Sequence, residues 1–110
     1  MIPPILIAVL NGTDVTLPAA TPTDIELPID GARDWSFVLK NTGANPVTAG
    51  TIARSPLGVL YETPQAMPGG IPLASGADVT IVGELEPVTR VRLTLTSTLG
   101  TTVQIEGGGR

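Results

Sequence analysis

Eleven prolines and thirteen glycines punctuate a chain of 110 residues, and their spacing constrains the fold more than any other feature. Proline breaks helical hydrogen bonding and glycine weakens it. Together they leave no helix-length window with an apolar period of 3.6. Between the breakers lie short segments rich in Val, Ile, Leu and Thr, residues that favour pleated backbone. Nine of them read as strands: Ile5–Leu10, Asp14–Leu17, Asp24–Ile29, Trp35–Asn41, Thr48–Arg54, Val59–Glu62, Asp78–Gly83, Thr89–Ser97 and Thr101–Glu106.

Several segments alternate strictly. Ile25, Leu27 and Ile29 share one face, opposite Asp24, Glu26 and Pro28. Val91, Leu93 and Leu95 oppose Arg90, Arg92, Thr94 and Thr96, and Val103 and Ile105 oppose Thr102, Gln104 and Glu106. A period of two with one wet face belongs to antiparallel sheets. Leu99-Gly100 marks a hairpin turn between the last two strands. Pro28 cannot donate to a ladder, so its strand belongs at an edge or a bulge. The expected fold is all-β, a single antiparallel β-sandwich over residues 1–110, Ig-like or jelly-roll-like. Residues 1–12 read as an N-terminal arm or first strand, and "GGGR" at 107–110 as a flexible tail.

Only three aromatics occur, Trp35, Phe37 and Tyr61. Trp35, Phe37 and Leu39 fall on one face of their strand, so they mark the core centre and leave Tyr61 outside it. The rest of the core is aliphatic. About fifteen such side chains, each stabilising by roughly 1.5–3 kcal/mol when buried, make an adequate core that a partner can supplement.

Composition narrows function by exclusion. The net charge is −4, which offers no basic footprint for nucleic acid. The apolar run Ile5–Leu10 is far short of the ~20 residues that cross a bilayer, and no basic region precedes it as in a secretion signal. The chain contains no cysteine and no histidine, so disulfides, thiolate chemistry and the usual hydrolytic triad are out of reach. Carboxylate pairs exist at Asp30 with Asp34 and Glu84 with Glu86. Glycosidic chemistry needs two carboxyls about 5–10 Å apart across a groove, and these pairs flank turns and strand ends where acids are ordinarily solvated. No Asp-x-Asp-x-Asp-Gly calcium loop is present. "PGGIPLASG" has glycines but lacks the lysine of a phosphate loop. No catalytic residue, metal ligand or cofactor is therefore expected, and the chain reads as a non-enzyme.

What remains is binding or assembly. The candidate interface residues are Ile5, Leu6, Ile7 and Val9 of the arm, Tyr61 and Met67 of the long irregular stretch "GVLYETPQAMPGGIPLASG", and Arg90 and Arg92. The two arginines are expected to pair across strands with acids such as Glu26 or Glu106. An apolar arm suits strand addition to a neighbour's edge.

The run "WSFVLKNTGANPVTAGTIARSPLG", followed by "IPLASGADVTI" and "VRLTLTS", resembles small β-sandwich structural proteins of tailed bacteriophages, over about residues 35–97. In that family a strand ends in an N-T-G turn, continues L/V-T-A, and a later L-x-x-G precedes a strand. The resemblance implies a virion protein of the capsid surface, made in the host cytoplasm. It implies a decoration or cement protein, homo-oligomeric, bound to partners such as the major capsid protein, with no nucleic acid and no membrane. Residues 1–30 have no counterpart there. An Ig-like adhesion or carbohydrate-binding module, and a tail or head–tail connector component, are the alternatives.

Overall fold

The computed structural model describes residues 8–29, 34–56, 60–67, 71–83 and 89–109. They form eight strands and no helix: β1 Ala8–Leu17, β2 Thr23–Pro28, β3 Trp35–Asn41, β4 Ala49–Ser55, β5 Gln65–Ala66, β6 Asp78–Gly83, β7 Arg90–Thr96 and β8 Thr101–Gly109. The strands make two four-stranded antiparallel sheets, ordered β1-β8-β3-β6 and β2-β7-β4-β5. The pairs β1·β8, β2·β7, β3·β6 and β4·β5 are those of one long hairpin, four strands out and four back. Rolling that hairpin puts alternate pairs in opposite sheets, and the β3·β8 and β4·β7 ladders join the pairs within each sheet. This winding is the eight-stranded jelly roll and differs from the Ig strand order.

The alternation read from the sequence is the alternation observed. β3 is buried at every second residue from Trp35 to Asn41, and β7 buries Val91, Leu93 and Leu95. These side chains meet Leu17, Ile25, Leu27, Ile52, Ile81, Val103 and Ile105 in one core cluster between the sheets. Trp35 and Phe37 lie with ring centroids 6.3 Å apart. Pro28 ends β2, which is an edge strand as its missing donor requires.

Three expectations need correction. The segments expected as separate strands around Asn11-Gly12 belong to one strand, β1. Gly12, at φ 64°, absorbs a register shift between Leu10 and Thr13 as a bulge rather than a turn. Residues Ile5–Ile7 lie outside the described residues. From Ala8 onward the chain is the edge strand β1, paired with β8. Gly107 to Gly109, expected as a flexible tail, are the end of β8, laddered to β1 on one side and β3 on the other. The strand expected at Val59–Glu62 is not formed over Leu60–Glu62. The chain instead pairs with β4 at Gln65 and Ala66, because Pro64 supplies no donor and delays the ladder by a few residues.

The corner "NTGANP" closes one end of the sandwich around Asn41, which is fully buried. Its Nδ2 donates to the carbonyls of Asn45 at 2.8 Å and Leu73 at 3.0 Å. Its Oδ1 accepts from the Gly43 amide at 3.2 Å and the Thr101 hydroxyl at 2.9 Å. One side chain thus ties the corner to the loop before β6 and to the start of β8. The stretch is a structural knot, as a sandwich corner after the core strand should be.

Candidate surface site on the outer sheet face

The outer face of the β2-β7-β4-β5 sheet carries the densest polar chemistry among the described residues. Strand register sets it out in rows. Glu26, Arg92 and Ala53 stand opposite one another across three strands, and Asp24, Thr94 and Thr51 form the next row. The third row places Arg90 between Pro28 and Ser55.

Tyr61 enters this face from the edge. The Glu62 amide donates to the Arg54 carbonyl at 2.9 Å, which holds the segment after β4 beside that strand. The Arg54 Nη1 lies 3.1 Å from Glu62 Oε1, which also accepts from the Arg54 amide at 3.2 Å. From there the Tyr61 side chain reaches across β4 and β7, and its hydroxyl donates to Glu26 Oε2 at 2.6 Å. Arg92 Nε donates to Glu26 Oε1 at 2.7 Å, and the guanidinium carbon sits 3.9 Å from the Tyr61 ring centroid. Ala53 stands beside Arg92 in the same row. It points outward by alternation yet is only 3% exposed.

Each of the three groups shifts the protonation of the others. Partial desolvation pulls the Glu26 carboxyl up. Hydrogen bonds from Tyr61 and Arg92, with the charges of Arg92 and Arg90, outweigh it and hold the group below the ordinary carboxylate range. Burial and the bond to Glu26 push the Tyr61 phenol up. The Glu26 hydrogen bond raises Arg92, against a smaller desolvation effect. A carboxylate held ionised in this way accepts hydrogen bonds and does not serve as a general acid at neutral pH. The cluster offers a stacked aromatic, guanidinium donors and a carboxylate acceptor on one face.

The structure brings together Tyr61, Arg92 and Arg90, three of the eight candidate interface residues. Met67, expected on the surface, is buried at 6% exposure in the core cluster. The Val9 backbone pairs with Gly108 inside the fold. Ile5, Leu6 and Ile7 lie outside the described residues. The expected Arg92–Glu26 pair is present. Its extension to Tyr61 was not legible, because a link across 35 residues depends on strand order. The one available signal was that Tyr61 is the sole aromatic off the core strand. Glu84, Glu86 and Asp30 lie outside the described residues, and no group of three His, Cys, Asp or Glu able to hold a metal occurs among those described. No helix among the described residues is long and apolar enough to cross a membrane.

No protein-family model matches this chain, and no curated protein does. Solved structures share its fold. The chitosan-binding module 1 of a chitosanase/glucanase from Paenibacillus sp. IK-5 superposes with a TM-score of 0.56 at 15% identity, over 88% of this chain and 76% of that one. A chain in the structure of the infectious bursal disease virus Gt strain gives a TM-score of 0.52 at 12% identity, covering 94% of this chain and 31% of the viral one. Its counterpart from the Gx strain gives 0.51 at 15% identity, over 94% and 29%. This chain therefore spans under a third of either viral chain. At such identities the likeness is one of fold.

Proposed function

We propose that this chain is a non-enzymatic structural protein of a virus particle, a decoration or cement protein that reinforces a bacteriophage capsid through protein–protein contacts. The observation that carries the reading is the complete jelly-roll winding, aligned over 94% of the chain with proteins of a virus structure. The resemblance of residues 35–97 to phage β-sandwich proteins supports the narrower assignment to tailed phages. The outer-face cluster supports a recognition role, since its carboxylate is held among hydrogen bonds from Tyr61 and Arg92. The test is add-back. Purified protein is mixed with particles that lack it, sedimented with them, and the particles are heated until they release DNA. Saturable co-sedimentation and release at a higher temperature are expected. Binding without a shift removes the cement role, and absence of binding removes the capsid role.

A second reading, a carbohydrate-binding module, is favoured by one specific observation. The half-exposed Tyr61–Arg92–Glu26 cluster combines a ring with hydrogen-bond donors and an acceptor, on a fold shared with a chitosan-binding module. Retention on chitosan or another immobilised glycan that Tyr61→Ala abolishes would establish it. A glycan array without binding, with Tyr61→Ala behaving like wild type, would remove it.

A further inference from the structure

The two sheets expose four edge strands, β1, β6, β2 and β5, and an edge is a template for another strand unless something blunts it. Three of the four are blunted. β1 carries the Gly12 bulge, β2 ends in Pro28, and β5 is two residues long. β6 has none of these devices. Its six residues, Asp78–Gly83, run in unbroken register against β3 and include neither proline nor lysine. Its outward side chains are Asp78, Thr80 and Val82, and Val82 is 51% exposed. Val38 of β3, opposite Thr80, adds a second exposed apolar side chain at 40% on the same face. Every second residue of an antiparallel edge strand turns its N–H and C=O away from the sheet. Among the described residues, no hydrogen bond crosses the free side of β6.

We infer that β6 is an assembly edge, which pairs antiparallel with β6 of a second copy about a two-fold axis and joins two four-stranded sheets into one of eight. The partner must offer an unguarded strand of matching length and twist, and β6 is the strand of this chain that does so. A two-fold contact is self-complementary, since the same patch serves both sides. Keeping the outward face continuous leaves two central registers. Thr80 stands opposite Thr80 of the second copy with Asp78 opposite Val82, or Thr80 stands opposite Val82 with the two Ile81 residues facing. Both cover Val82, and neither sets the two Asp78 carboxylates face to face, where like charges would repel. The inference does not depend on the capsid reading, because it is measured without particles.

The chain contains no cysteine, so single-cysteine variants report the contact cleanly. Full-length protein is followed by light scattering and sedimentation over about a hundredfold concentration range. A dimer is expected whose dissociation constant rises by at least about tenfold in the Thr80→Lys, Val82→Lys double variant. Under mild oxidation, Thr80→Cys alone, or mixed with Val82→Cys, is expected to form covalent dimers in the register-matched combination, while Leu99→Cys in the distant β7–β8 turn does not. The cysteine variants carry the test should the lysine variant fail to fold. A wild-type monomer throughout, or a dimer indifferent to the lysines and giving no cross-link at β6, overturns the inference. Loss of the dimer on deleting residues 1–7, with the lysines harmless, assigns the contact to the N-terminal segment and likewise overturns it.

Discussion

Asn41 ties three separated parts of the chain together at one corner of the sandwich. Its side chain makes four hydrogen bonds with no access to water. Removing one partner of a buried polar group leaves the others unpaired, which costs more than the bond was worth. Asn41→Ala is expected to destabilise by about 2–4 kcal/mol in denaturant unfolding. A loss no larger than that of an exposed substitution such as Thr98→Ala would show that the knot is not structural. Glu26 makes a smaller, pH-dependent contribution. Its folded pKa is lowered, so its stabilisation is present above the unfolded carboxylate pKa and is lost as pH falls through the folded value. With the carboxylate side chain 35% exposed, the effect is under about 1 kcal/mol. Glu26→Gln is expected to flatten the acid limb of the stability–pH curve by that amount and leave its shape near pH 9 unchanged. An identical acid limb would mean that the triad is not coupled to folding.

At the scale of elements, what the sequence discloses divides along one line. Alternation is local, so β2, β3, β6, β7 and most of β8 were legible within a residue or two, as were Trp35, Phe37 and Leu39 as core. Pairing is not local. Ala8 opposite Gly109 spans nearly the whole chain, and no period within either segment encodes it. The triglycine end of β8 was misread for the same reason, since glycine signals flexibility only where no neighbour approaches. Here β8 lies between β1 and β3, and Gly107, at φ +154°, sits so close to the β3 backbone that a Cβ would run into Ser36 O. Gly107→Ala is therefore expected to cost about 1–3 kcal/mol, a strained backbone plus a displaced strand. A thermal midpoint equal to wild type would return those glycines to the status of a tail. The Tyr61 contact belongs to this class too, because its partners Glu26 and Arg92 meet only once β2 and β7 are paired.

The whole molecule is a rolled hairpin, with its ends β1 and β8 side by side in one sheet and its shortest strand at an edge of the other. Such a winding closes the core through long-range contacts and leaves the outer faces and edges to carry specificity. Two surfaces stand out: the Tyr61–Arg92–Glu26 face of one sheet and the β6 edge of the other. They lie in different sheets, so under the proposed capsid role one surface would meet the shell while the other pairs with a second copy. The most direct measurement of that account is the protein composition of gradient-purified virus particles from the source of this sequence, quantified by mass spectrometry against the shell protein. The chain is expected in the particle fraction at a fixed ratio to that protein that survives repeated banding. Its complete recovery in the particle-free fraction, with the shell protein intact, would contradict the account.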